Sequence, residues 1–85
     1  MAIKINKHII FCEEKNESML INFVDNYMIG LDYISTVIWK ELMKNQGELE
    51  IIDYLAEKYQ EDKKMLSKDI KEFLNSLEQV GVIKN

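Results

Sequence analysis

The sequence predicts an α+β domain, a three-stranded antiparallel meander followed by three helices. Three observations carry that expectation. The first third of the chain holds short runs whose side chains alternate with period two, as strands do. From Asp32 onward apolar residues recur at three- and four-residue spacing, as on one face of a helix. Polar, turn-prone segments separate the runs, with no proline, low-complexity tract or internal repeat.

The first strand is expected near 8–13, where "HIIFCEE" is β-branched and aromatic in character. A polar turn, "EKNE" from Glu14 to Glu17, follows it. The second strand, about 19–24, places Met19, Ile21 and Phe23 on one face and Leu20, Asn22 and Val24 on the other. Asp25-Asn26 suits a two-residue hairpin loop, because both residue types tolerate the positive φ of tight turns. "YMIGL" returns as the third strand, 27–31, with Tyr27, Ile29 and Leu31 on one side and Met28 and Gly30 on the other. The earlier "IKI", Ile3 to Ile5, either extends the first strand or frays.

Asp32 is a good N-cap for a first helix of about 33–44, with Ile34, Val37, Ile38 and Leu42 at helical spacing and Trp39 beside them. "KNQG" closes it. A second helix, about 48–59, aligns Ile51, Ile52, Leu55 and Tyr59, and its Glu48 and Glu50 favour the N-terminal dipole. After the solvated "QEDKK", a third helix of about 64–80 is the most periodic segment, striped by Leu66, Ile70, Phe73, Leu74 and Leu77. Gly81 is its natural stop, and Val82 and Ile83 then fold back onto the core.

Eighty-five residues, 47% hydrophobic and 31% charged, predict one domain spanning 1–85. At this size, partner binding or oligomerisation commonly adds stability. No apolar run approaches the roughly 20 residues of a bilayer span, and "MAIKINKHII" lacks a signal peptide's apolar centre. A cytoplasmic location without a membrane partner is expected. The single cysteine, Cys12, alternates with apolar neighbours and reads as a buried strand thiol in a reducing compartment. All 11 basic residues are lysine against 15 acidic ones, and the net charge of −4 weighs against a nucleic-acid partner. Arginine, the usual bidentate phosphate ligand, is absent.

The inventory for catalysis is poor. His8 and Cys12 stand roughly 13 Å apart along one strand at about 3.3 Å per residue, too far for a dyad. One histidine and one cysteine cannot supply a zinc site, and three glycines make no phosphate loop. The sequence predicts neither enzyme activity nor a cofactor.

The meander leaves its third strand free on one side. From Leu31 onward, "LDYISTVIWKELM", then "ELEIIDYLAEKY", then "LSKDIKEFLNSLEQVGVI" resembles the PqqD-like family. These are peptide-recognition domains of pathways that make ribosomal, post-translationally modified peptides. The pattern rests on Leu31 with Ile38-Trp39 and Leu42, Ile51 and Leu55 with Tyr59, Asp69-Ile70 with Phe73-Leu74, and Leu77 with Gly81-Val82-Ile83. With the hairpin in front it extends from His8 to Ile83. Departures sit at the helix starts: Gly47-Glu48-Leu49 stands where the family often has Thr-Val, and Asp32-Tyr33 where it has an Asn-Glu-like pair.

The resemblance implies a winged helix-turn-helix-like fold without catalysis. It implies capture of a precursor's leader peptide as an extra strand on the third strand, in a groove walled by the third helix. Delivery to a modifying enzyme or leader protease of the same pathway follows, with lasso-peptide processing favoured over a radical-enzyme pathway. Edge strands supply the physical basis, since their unpaired N–H and C=O groups template an added strand. On this reading the peptide-binding residues are Asn26, Tyr27, Met28, Ile29, Gly30 and Leu31, with Met65, Asp69 and Phe73 on the helix wall and Ile70 at the floor. Gly30 would admit a close backbone approach or mark a simple bulge, and Met28 is the best exposed apolar contact. Alternation alone also assigns Tyr27, Ile29 and Leu31 to the core, and Asp69 also reads as a residue of a solvated helix face.

Two readings of other classes stand beside this one. A DNA-binding winged-helix regulator calls for a basic recognition helix, whereas "SKDIKEFLNSLEQ" mixes both signs. A structural subunit would form a homodimer by pairing edge strands.

Overall fold

The computed structural model describes residues 3–15 and 17–84. Its central strand is built around Leu20, whose side chain is wholly buried. Among the described residues, five strands and three helices follow the order β1 (Lys4–Ile5), β2 (Ile9–Glu14), β3 (Glu17–Asn22), β4 (Tyr27–Leu31), α1 (Tyr33–Met43), α2 (Glu48–Tyr59), α3 (Lys63–Gln79) and β5 (Ile83–Lys84). β2, β3 and β4 form the antiparallel meander, with β3 in the middle. The α+β class and the order of sheet and helices are as the periodicities predict.

Register decides which face is buried. Phe11, Leu20 and Ile29 lie in one cross-strand row, and Cys12, Met19 and Gly30 in the next. A period of two sends adjacent rows to opposite faces. The Leu20 row packs inward, where Phe11 meets Trp39 of α1 with ring centroids 6.4 Å apart. Cys12 is therefore exposed, against the expectation of a buried thiol. Its strand has apolar residues on both faces, so alternation left the phase open, and pairing with β3 set it.

Three further expectations are corrected. The β3–β4 connection is a four-residue turn, 23–26, closed by the pair Asn22 and Tyr27, rather than the dipeptide Asp25-Asn26. The cause is Asn22, whose buried side-chain oxygen accepts from the N–H groups of Val24 and Asp25 at 2.9 and 2.8 Å. That Asx-type motif ends β3 early, and Asn26 completes the turn with φ 59°. The "IKI" segment neither extends β2 nor frays: Lys4 and Ile5 pair with Lys84 and Ile83 in a separate two-stranded ribbon. Ile34 is exposed, because α1 turns Ile38, Trp39 and Leu42 inward instead. Asn16, inside the expected first turn, lies outside the described residues.

The helix ends follow their residues. Asp32 caps α1 by accepting from Ser35 N–H at 2.8 Å, and Asp62 caps α3 by accepting from Lys64 N–H at 2.8 Å. At α2 the Glu50 carboxylate accepts from Gly47 N–H at 3.0 Å. Gly81, at φ 82°, takes the left-handed conformation that stops α3, and Val82 N–H returns to the Leu77 carbonyl at 2.9 Å. Val82 and Ile83 are buried, as expected from the closing segment.

Candidate functional site

The site is assembled from the free edge of β4 and the neighbouring face of α3. Among the described residues, β4 pairs only with β3, so its second edge is unpaired. The ladder fixes which groups that edge presents. Phe23 N–H bonds to His8 O, so odd-numbered residues along β3 direct their main-chain groups toward β2. Even-numbered ones, Leu20 among them, face β4 and bond to their partners there. Ile29, opposite Leu20, thus spends its N–H and C=O on β3, and Met28 and Gly30 aim theirs outward.

Two tyrosine hydroxyls make long-range hydrogen bonds near the ends of β4. Tyr27, at the start of β4, donates to the carbonyl of Val80 at the end of α3, 2.9 Å away. Tyr33, just beyond the end of β4, shares a 3.1 Å hydrogen bond with Tyr59, which ends α2 shortly before α3 begins. The first of these bonds brings the start of β4 to the end of α3, and the second joins α1 to α2. Leu31 of β4 and Ile70 and Leu74 of α3 lie in one buried cluster. Tyr27, Ile29, Leu66 and Phe73 are half-buried against it.

The expected site residues divide by accessibility. Met28 is 66% exposed and Met65 67%, so both present free apolar surface. Gly30, Asn26 and Asp69 are also exposed, and Asp69 has no salt bridge among the described residues. Tyr27, Ile29 and Phe73 are partly accessible. Leu31 and Ile70 are buried in the core, so neither side chain is presented at the surface. Sequence reading missed Tyr33 and assigned Tyr59 to the core stripe. Their shared bond spans 26 positions and leaves no local pattern.

The Tyr33–Tyr59 pair and the neighbouring Lys58 carry perturbed protonation. Tyr59 holds its phenol proton more tightly than usual, chiefly through the Tyr33 hydrogen bond and then through burial. Lys58 sits 3.3 Å from the Tyr54 hydroxyl and 5.5 Å above the Tyr54 and Tyr59 rings. The hydrogen bond to Tyr54, first among the causes, raises its pKa. No helix of the described residues is long and apolar enough to cross a membrane.

These features define a small winged helix-turn-helix-like α+β domain with an open strand edge beside its last helix. The chain belongs to the PqqD family: the family described as coenzyme PQQ synthesis protein D matches residues 17–83. No curated protein matches the sequence. Among solved structures, TbiB1 in complex with the TbiA(beta) leader peptide superimposes with a TM-score of 0.91 at 23% identity, over 96% of this chain and 95% of that one. A lasso peptide synthetase B1 complexed with the leader peptide superimposes with a TM-score of 0.88 at 14% identity, over 98% of each chain. At these identities the likeness is one of fold.

Proposed function

We propose that this protein is a non-catalytic adaptor that captures the leader segment of a ribosomally made precursor peptide as an added strand on β4. It hands the tethered precursor to a modifying enzyme or leader protease of the same pathway, lasso-peptide processing being favoured, in the cytoplasm. One observation carries this reading: the outward main-chain groups of Met28 and Gly30 have no strand partner among the described residues. The relatives solved with leader peptides share this fold, and that supports it.

Main-chain bonds to Met28 and Gly30 supply affinity, and Tyr27, Ile29, Phe73 and Met65 supply apolar anchors. Leu31 and Ile70 support them from below, Asn26 flanks one end, and Asp69 meets a donor on the leader. Such an interface suits dissociation constants from about 10 nM to about 10 μM. Tethering raises the precursor's effective concentration at the enzyme and needs no bond chemistry or cofactor here.

The decisive experiment is an amide NMR titration with the leader of a candidate precursor peptide, repeated on Met28→Pro. Proline is tolerated on a strand edge where its missing N–H faces outward. The variant is expected to keep the fold and lose leader binding, while in the wild type shifts concentrate in Tyr27 to Leu31 and along Met65 to Phe73. Shifts confined to α1 and α2 would remove the reading. The DNA-binding alternative draws little from α3, where Lys63, Lys64, Lys68 and Lys71 are interleaved with Asp69, Glu72 and Glu78.

A further inference from the structure

Gly30 is a glycine that the fold itself does not require. Its φ is not positive, and a Cβ built on it would meet nothing within 4 Å. Glycine weakens a strand interior, and β-branched residues favour one. Main-chain pairing across the free edge does not need glycine either, since strands pair at about 4.8 Å whatever their side chains, which stand perpendicular to the ladder. The missing side chain matters on the outer face of the sheet, in the row Cys12, Met19, Gly30. There a shallow depression is lined by Met19, Gly30, Leu31 and Tyr33 together with the polar Glu17, Ser18 and Asp32. Met19 is 38% exposed and Tyr33 46% exposed, so these two side chains are open to a guest.

We infer that Gly30 is a specificity notch: the residue of the captured strand directly opposite it carries an aromatic side chain, which lies across Gly30 onto Met19 and Tyr33. This rests on the strand-capture reading and adds to it a preference on the face of the sheet away from α3. Aromatic residues cover edge glycines in cross-strand pairs, and a thioether makes a favourable contact with a ring. The neighbouring row, Ile10, Ile21 and Met28, already has a side chain at its edge position and offers no such recess.

The test uses the full chain and a displayed library of twelve-residue peptides, with Gly30→Ala and Gly30→Val as variants. Both variants are expected to melt at or above the wild-type temperature. Selected peptides should share one aromatic position whose ring gives nuclear Overhauser contacts to Met19 and Gly30. Gly30→Val should bind them at least tenfold more weakly. Replacing the aromatic residue by alanine should weaken binding to the wild type by a similar factor, with little further loss on Gly30→Val. Peptides that shift the Met28 and Gly30 amides yet bind Gly30→Val equally well would overturn the notch and leave strand capture standing. A library from which no peptide shifts those amides would overturn both.

Discussion

Tyr27 and Val80, 53 positions apart in the chain, are joined by a 2.9 Å hydrogen bond from the phenol to the backbone carbonyl. The bond ties the first residue of the free-edge strand to the C-cap of α3. Removing the donor in Tyr27→Phe should cost about 0.5–1.5 kcal/mol, toward the low end because the bond is exposed. Thermal unfolding should register it as a drop of several degrees. An unchanged melting temperature would mean that the ring's packing, rather than its hydroxyl, holds the strand to the helix.

The sheet is joined to α1 by a second polar link, this one buried. The Thr36 hydroxyl donates to the Asp32 carbonyl at 2.7 Å, so the Ser18 hydroxyl, 2.7 Å away, must be the donor to Thr36. Ser18→Ala then loses one bond, about 1 kcal/mol, and leaves Thr36 satisfied. Thr36→Val strands a buried serine hydroxyl and should cost more, about 1–3 kcal/mol. Urea unfolding of both variants checks the order. The reverse order would mean that the threonine is not the hub.

The Tyr59 phenol lies above its ordinary pKa of 10.0, first through the hydrogen bond with Tyr33 and next through burial, with Lys58 opposing. A raised folded-state pKa means that folding favours the neutral phenol. Its stabilisation is complete below the unfolded value and fades as pH rises through the folded one. Tyr33→Phe should bring the Tyr59 transition back toward the ordinary range, followed on the Tyr59 ring by NMR. The variant should also lose less stability than the wild type above about pH 10. Identical titrations would show that the two phenols are not bonded in solution.

Cys12, on the outer sheet face, should react with a thiol reagent in the native protein nearly as fast as in the denatured chain. Labelling that accelerates sharply on denaturation would return it to the interior and reverse the phase of β2. Because β2, β3 and β4 share one register, that result would also relocate Met28 and Gly30.

Much of this protein was legible in its residue order. Period two and period 3.6 separated the sheet from the helices. Asp32 and Gly81 marked their ends, and a meander left β4 at an edge. These are local properties, set by which side chains share a face and which backbone angles a residue accepts. Tertiary pairing decided the rest. In β2 both faces are apolar, so only the register against Leu20 could expose Cys12 and bury the Phe11 row. The partner of Ile5 is Ile83, at the other end of the chain, and no local window contains both. The bonds Tyr27–Val80 and Tyr33–Tyr59 likewise depend on hydroxyls meeting across the fold, and hydroxyl positions have no periodic signature. Side-chain pattern told which residues want to be inside; which of two apolar faces is covered was settled only when helix α1 packed onto one of them.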